Sequence, residues 1–408
     1  MIHKVIDILK RLIRFRGDKV VWIVLFFLSL SSLLIVYSAT GSLAFRKMDG
    51  QTGYYLVRQL IFISAGLGII LFQVNFIPVR FYSKIATPGL IIAFGVVVVG
   101  LLMGAKTEAT GRTLNLLGFS FQPAELAKLV MVMYVARMLA NHQESRDSRR
   151  KAFWLILIGG GLLCFAVFIG NFSTSALMFA TVMCMMFIGR VPFKFLGGTV
   201  VAGIVLMAIL LIATPIIPKS FGRIHTVKGR IERFFTDTPE EEKENKGLEQ
   251  EEYGLLAVYE GGLLGKGPGA SEVANYMAAA YNDFIFAIFI EEYGLIGGGM
   301  VLLLYLIFMY RGGVIMKRST RTFPAFLTIG YTLILTFQAM INMGVAVGAL
   351  PVTGQPLPLV SMGGTSTLFT AAMLGCVLSV SCQNQKDKKL EPEMTKMLAA
   401  GPDEDQKL

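Results

Sequence analysis

The segment Tyr281-Asn-Asp-Phe-Ile-Phe-Ala-Ile-Phe-Ile-Glu-Glu-Tyr-Gly294 sets three carboxylates against one long apolar run. Asp283 stands at its edge, with Glu291 and Glu292 further inside. The run continues through Val301–Tyr310 and ends at Arg311. That pattern reads as a membrane helix entered from a polar loop. A charge at the centre of a membrane helix costs about 2.5–3.5 kcal/mol on insertion scales, so acids kept there are functional candidates. The plainer alternative is that Asp283 caps the helix start, where an acceptor side chain and the helix dipole both favour it. On a continuous helix Glu291 and Glu292 lie roughly 12–14 Å further along, at about 1.5 Å per residue.

Three other segments carry polar chemistry. In Gly111-Arg-Thr-Leu-Asn-Leu-Leu-Gly-Phe-Ser-Phe-Gln-Pro-Ala-Glu-Leu-Ala-Lys128, Pro123 fits the first turn of a helix. Glu125 and Lys128 then share a face at a spacing that allows pairing. A structural ion pair and a substrate contact both fit. In Gly348-Ala-Leu-Pro-Val-Thr-Gly-Gln-Pro-Leu-Pro-Leu-Val-Ser-Met-Gly-Gly-Thr-Ser366, prolines and glycines disfavour a helix. Non-helical backbone at membrane depth must be buried in protein or line an aqueous cavity. Ser361, Thr365 and Ser366 offer hydroxyls there, and Gly363 and Gly364 allow close approach. A tight turn between two helices is the alternative. The glycines of Glu260-Gly-Gly-Leu-Leu-Gly-Lys-Gly-Pro-Gly269 oppose a helix and suit a tight path with exposed amides.

These segments need a scaffold, and the composition says which kind. The 408 residues are 54% hydrophobic and only 16% charged, as in an all-α polytopic membrane protein. Apolar runs of spanning length occur near 20–39, 56–74, 84–104, 124–140, 153–170, 174–189, 195–217, 284–310, 323–349 and 363–382. About ten transmembrane helices are expected. The first run follows a basic stretch but is long and has no clear cleavage site, so it reads as a retained span.

The net charge of +11 comes from short basic segments between the runs. An even number of spans puts all of them on the cytoplasmic side, with both termini. The charge therefore points to a lipid bilayer and no nucleic acid. The layout is a basic N-terminus (1–19), a membrane domain (20–382) and a disordered cytoplasmic tail (383–408). A large extracytoplasmic loop, about 218–282, joins the seventh and eighth helices, and its acidic run Glu240–Glu252 reads as a solvated face. Four cysteines and three histidines lie without metal-ligand spacing or a catalytic triad.

Phe121-Gln-Pro-Ala-Glu-Leu-Ala-Lys128, Asn282-Asp-Phe-Ile-Phe-Ala287 with Glu291-Glu-Tyr-Gly294, and Leu350–Ser366 occur in this order. Together they resemble the signatures of the SEDS family, which comprises FtsW, RodA and SpoVE. The likeness covers nearly the whole chain, including Gln250, Gly261-Gly262 and Gly265-Lys-Gly-Pro-Gly269. It implies a peptidoglycan glycosyltransferase that polymerises lipid II at the outer membrane face. The family's essential aspartate matches Asp283, and its Glu/Lys pair matches Glu125 and Lys128. Arg112, Gln122, Gln250, Lys266, Thr353, Gln355, Ser361, Gly363, Gly364, Thr365 and Ser366 are then candidate substrate contacts. The sequence departs from the family pattern at Thr113, where Trp is usual. It departs again at Asn171–Ser173, where Pro-Asp is usual, and just before the aspartate, where a His is missing.

The implied chemistry is inverting glycosyl transfer to a sugar hydroxyl. One carboxylate can act as general base, contributing about 10²–10⁴-fold. Charge on the departing pyrophosphate then needs stabilisation. Lys266, Arg112 or a divalent cation (Mg or Mn) could supply it. Direct displacement needs one carboxylate, in contrast to the pair that glycosidases use. A lipid II flippase lined by Glu125, Lys128, Glu291 and Glu292 is the rival reading, and a catalytically silent scaffold a third. The Gly265–Gly269 and Ser361–Thr365 details lie nearer the FtsW branch, in division, than the RodA branch, in elongation. Either branch implies a class B penicillin-binding protein as partner, and the division branch adds division-complex membrane proteins.

Overall fold

The structure, a computed structural model, describes residues 15–41, 52–106, 114–116, 119–214, 229, 250–277 and 281–399. Long apolar runs satisfy their own backbone by folding as helices, because lipid offers no hydrogen-bond partner. Seven come first: α1 (Lys19–Ala39), α2 (Thr52–Phe76), α3 (Val79–Lys106), α4 (Pro123–Asn141), α5 (Arg146–Gly170), α6 (Phe172–Ile188) and α7 (Phe193–Ile212). A shorter helix, α8 (Gln250–Gly261), precedes α9 (Ile285–Lys317), α10 (Thr322–Ala346) and α11 (Thr365–Ala399).

Eight of these are long and apolar enough to cross a membrane. Two more match expected spans by position. α6 is apolar but has only 17 residues, and α4 carries Glu125, Lys128 and Arg137. The ten expected runs are therefore all helical. The strands β1 (Leu114–Leu116) and β2 (Phe119–Phe121) pair antiparallel just before α4, the one strand pair in the otherwise all-α set of described elements.

α10 and α11 form the centre, each with 72% of its apolar window buried, whereas α7 has 6% and stands at the periphery. α1 and α9 run antiparallel. At one end Asp18 caps α1 through the amides of Val20 and Val21 and pairs with Arg311 near the end of α9. Toward the other end Ser38 of α1 donates to Glu292 near the start of α9. That second end carries Asp283.

Two expectations change. The expected disordered tail from residue 383 is helical as far as Ala399. Its first residues are tied down: Asn384 donates to the Ile315 carbonyl at 3.0 Å and Gln385 to that of Gly17 at 3.0 Å. Extending an existing helix through Gln, Lys, Glu, Met and Leu adds one bond per residue without a new nucleus. The helix start also shifts relative to Asp283. The N-cap of α9 is Phe284, whose own side chain makes no cap bond. Asp283 lies one residue earlier, in a turn.

Candidate active site

The segment from Gly348 to Gly364 is non-helical, as its prolines require. Its carbonyls therefore need donors from elsewhere. Side chains from five helices bond the loop, and those of α10, α9 and α1 donate to its carbonyls. From α10, Gln338 donates to Pro356 O and Asn342 to Gln355 O, both at 2.8 Å. α9 sends Tyr305 to Pro358 O, and α1 sends Ser32 to Val360 O at 3.0 Å. Gln59 of α2 donates to Ser32 Oγ at 2.8 Å and accepts from the Gly363 amide at 3.3 Å. From α6, the Thr174 hydroxyl accepts from Gln355 Nε2 at 2.9 Å. The loop is thus a fixed element and not a slack turn.

The same loop grips the turn that carries the acid. Three successive carbonyls of that turn accept hydrogen bonds. Met362 N donates to Tyr281 O at 3.0 Å, Ser361 Oγ to Asn282 O at 2.7 Å, and Asn342 Nδ2 to Asp283 O at 2.8 Å. The Asp283 side chain stays partly exposed beside this seam. Burial raises the pKa of the neighbouring Tyr281 phenol, and the charges of Tyr55 and Asp283 add to the rise. Arg58 opposes it. Arg58 also lies beside Gly364 and against the ring of Phe62. It forms no ion pair among the described residues. A partly buried guanidinium near Tyr281, with no ion pair among the described residues, is a group suited to a diphosphate.

The expected contacts divide. Thr353, Gly363, Gly364, Thr365 and Ser366 lie half-buried along the lip of this loop. Gln355 and Ser361 are buried and hold the loop together; Ser361 Oγ also accepts from Leu357 N at 2.8 Å. Gln122 is half-buried at the N-cap of α4 and makes no side-chain cap bond. Gln250 is exposed at the start of α8. Arg112 lies outside the described residues.

Glu125 and Lys128 meet at 2.8 Å with side chains almost wholly buried, and Lys128 Nζ also donates to Gln338 Oε1 at 2.7 Å. This pair therefore supports, through Gln338, the carbonyl of Pro356 in the loop.

Lys266 is already engaged. It pairs with Glu260, and with Glu291 at 3.2 Å. The Glu260 carboxylate raises the pKa of its ammonium above the usual lysine value; desolvation opposes this, and Glu291 adds to the rise. Neutralised by these partners, it is a poor donor to a phosphate. The glycine-rich segment around it instead docks on a break in α9. Gly294, at φ 69°, interrupts the helix and frees two carbonyls. Lys266 N and Gly267 N fill the gap, donating to Glu291 O at 2.9 Å and Glu292 O at 3.0 Å. In return Leu295 N donates to Gly262 O at 2.9 Å. A Cβ at Gly265 or Gly294 would overlap the opposing backbone, so glycine is required at both.

Glu291 is engaged as well. Fully buried, its carboxylate accepts from Ser271 Oγ, from Glu272 N at 3.0 Å and from Val273 N at 3.4 Å. A divalent cation finds no group of three or more His, Cys, Asp or Glu side chains among the described residues.

Comparison with known proteins gives this arrangement its context. The model of the FtsW/RodA/SpoVE family, described as cell cycle proteins, matches residues 18–386. The chain belongs to this family. A probable peptidoglycan glycosyltransferase FtsW of Saccharophagus degradans is 32% identical over 381 residues, 89% of this chain and 92% of that protein. Stage V sporulation protein E of Bacillus subtilis is 32% identical over 362 residues, 86% and 92% of the two chains.

Among solved structures, one on the coordination of polymerization and crosslinking by a peptidoglycan synthase complex matches with TM-score 0.66. The match is 22% identical and covers 90% of this chain and 98% of that one. The rod shape determining protein RodA of Thermus thermophilus matches with TM-score 0.59 at 24% identity, covering 88% and 95%. At such identities the likeness is one of fold, and it agrees with the all-α membrane architecture.

The site residues that sequence reasoning missed are Arg58, Gln59, Thr174, Gln338 and Asn342. Gln338 and Asn342 are single polar residues in an apolar run, Arg58 and Gln59 are neighbours, Thr174 lies between two serines, and none belongs to the four segments named above.

Proposed function

We propose that this chain is a peptidoglycan glycosyltransferase that polymerises lipid II into glycan strands at the outer face of the cytoplasmic membrane, with Asp283 as general base. The observation that carries this reading is the pinned turn: a partly exposed aspartate held by its own backbone against a rigid polar loop. Preorganised geometry of that kind favours chemistry over passage. The acceptor sugar hydroxyl gives its proton to the Asp283 carboxylate as its oxygen attacks the anomeric carbon. The bond from that carbon to the pyrophosphate oxygen breaks, the electron pair leaves with the prenyl pyrophosphate, and the configuration inverts. Arg58 meets the negative charge of the leaving group. The half-buried lip of Thr353, Gly363, Gly364, Thr365 and Ser366 receives the sugars.

The flippase reading draws less support. Its path would need available charges, yet Glu125, Lys128 and Glu291 are each bonded within the protein. The relatives named FtsW favour division, with a class B penicillin-binding protein and division-complex membrane proteins as partners. The test is purified full-length protein in vesicles with lipid II, alone and with that partner. Glycan strands are expected. Movement of lipid II across the bilayer without strands would support the flippase instead. The basic-inside arrangement predicts that a reporter fused after Glu244 lies outside the cell and one after Arg149 inside. Finding both on one side would move the site.

A further inference from the structure

Asn342 is 1% exposed and lies one turn beyond Gln338 on α10, one of the two most deeply buried spans. Its Nδ2 donates twice, to Asp283 O and to Gln355 O, each at 2.8 Å. Its Oδ1 is buried and accepts no hydrogen bond among the described residues. Leaving a buried acceptor unmet is unfavourable. The residue is therefore kept in place by its donor half, which ties two separate segments to one helix.

The two other carbonyls of the turn are held by Met362 N and Ser361 Oγ, which belong to the loop itself. Those bonds join the turn to a loop that other helices also hold, but neither ties the turn itself to a bundle helix. Of the three bonds to the turn's carbonyls, the one from Asn342 is the direct tie to a helix. The geometry points to Asn342 as a positioning residue for Asp283: its forked donation sets the distance between the acid and the sugar-facing lip of the Gln355–Ser366 loop.

This assignment rests on the reading of Asp283 as the base. Asn342 need not touch substrate. It acts through the backbone from which the carboxylate projects, where an error of about 1 Å can cost about 10²-fold in rate.

The test uses the purified full-length protein with Asn342→Asp and Asn342→Leu. Asp keeps the shape but sets an ionised oxygen against two carbonyls. Leu removes both donors together with the unmet acceptor and leaves the Asp283 and Gln355 carbonyls without this partner, so a merely structural residue would show lost stability without a selective fall in kcat. Turnover of lipid II, lipid II affinity and amide hydrogen exchange are measured on each.

For both variants kcat is expected to fall at least about tenfold while affinity stays within about threefold, the mark of an interaction used in the transition state. Exchange should rise in residues 281–287 and in 355–362 together. If Asn342→Asp does not fold, Asn342→Leu decides alone. A Leu variant with parental kcat and parental exchange would overturn the assignment, as would a rate loss matched by an equal loss of affinity. A parental protein that makes no glycan would defeat the proposed function, while the exchange data still decide whether Asn342 holds the two segments.

Discussion

The Lys128 ammonium sits between Glu125 Oε1 at 2.8 Å and Gln338 Oε1 at 2.7 Å, closed off from solvent. The pair is bonded inside the protein, so its first role is to hold the bundle and, through Gln338, the loop. Glu125→Gln and Lys128→Met should each lower the melting temperature and detergent-solubilised yield, since breaking a buried pair costs about 3–5 kcal/mol. The double substitution should recover most of the loss, because a neutral pair leaves no charge uncompensated. Unchanged yield with lost activity in the single variants would instead make the pair a substrate contact.

Glu291→Gln should loosen the segment from Gly262 to Asn275. Four of its hydrogen-bonding groups, on Lys266, Ser271, Glu272 and Val273, converge on that carboxylate. Bonds to a charged group are worth about 1.5–3 kcal/mol each. Faster limited proteolysis confined to this segment, with the bundle intact, is the expected result. A cleavage pattern like that of the parent would show that the backbone seam at Gly294 holds the segment unaided.

Arg58→Gln should weaken lipid II binding and flatten its salt dependence without lowering the melting temperature. A partly buried cation with no ion-pair partner among the described residues loses little structure when neutralised, but a diphosphate loses a charge-assisted contact worth several-fold to about a hundredfold in affinity. Arg58→Lys should recover part of it. Binding that is indifferent to both substitutions would return the diphosphate to another cation.

The scaffold was legible because lipid imposes length and apolarity on every span, and the ten runs became helices. The chemistry-bearing segments were legible too, since charges and prolines break those runs. What surrounds Asp283 was not. Asn342 and Gln338 are solitary polar residues, Thr174 lies between serines and Arg58 beside Gln59, but the groups they meet at the site lie far away in sequence, so no local spacing announces them. Gly294 looks like any glycine in an apolar helix until the 262–267 segment docks against it. Lys266 looked like a free cation for the same reason: two of its carboxylates, Glu272 and Glu291, arrive only when the chain folds back. The tail was misread because its polarity was weighed and its continuity with a formed helix was not.

The central claim is that Asp283 takes the proton of the acceptor hydroxyl, and Asp283→Asn tests it most directly. The substitution keeps shape and backbone, and therefore the bonds that Asn342, Ser361 and Met362 make to carbonyls of this turn. Purified full-length Asp283→Asn should keep the parental melting temperature and bind lipid II nearly as the parent does. Its polymerisation rate should fall at least about 10²-fold, the usual contribution of a general base. A folded Asp283→Asn protein that polymerises lipid II at the parental rate would contradict the account.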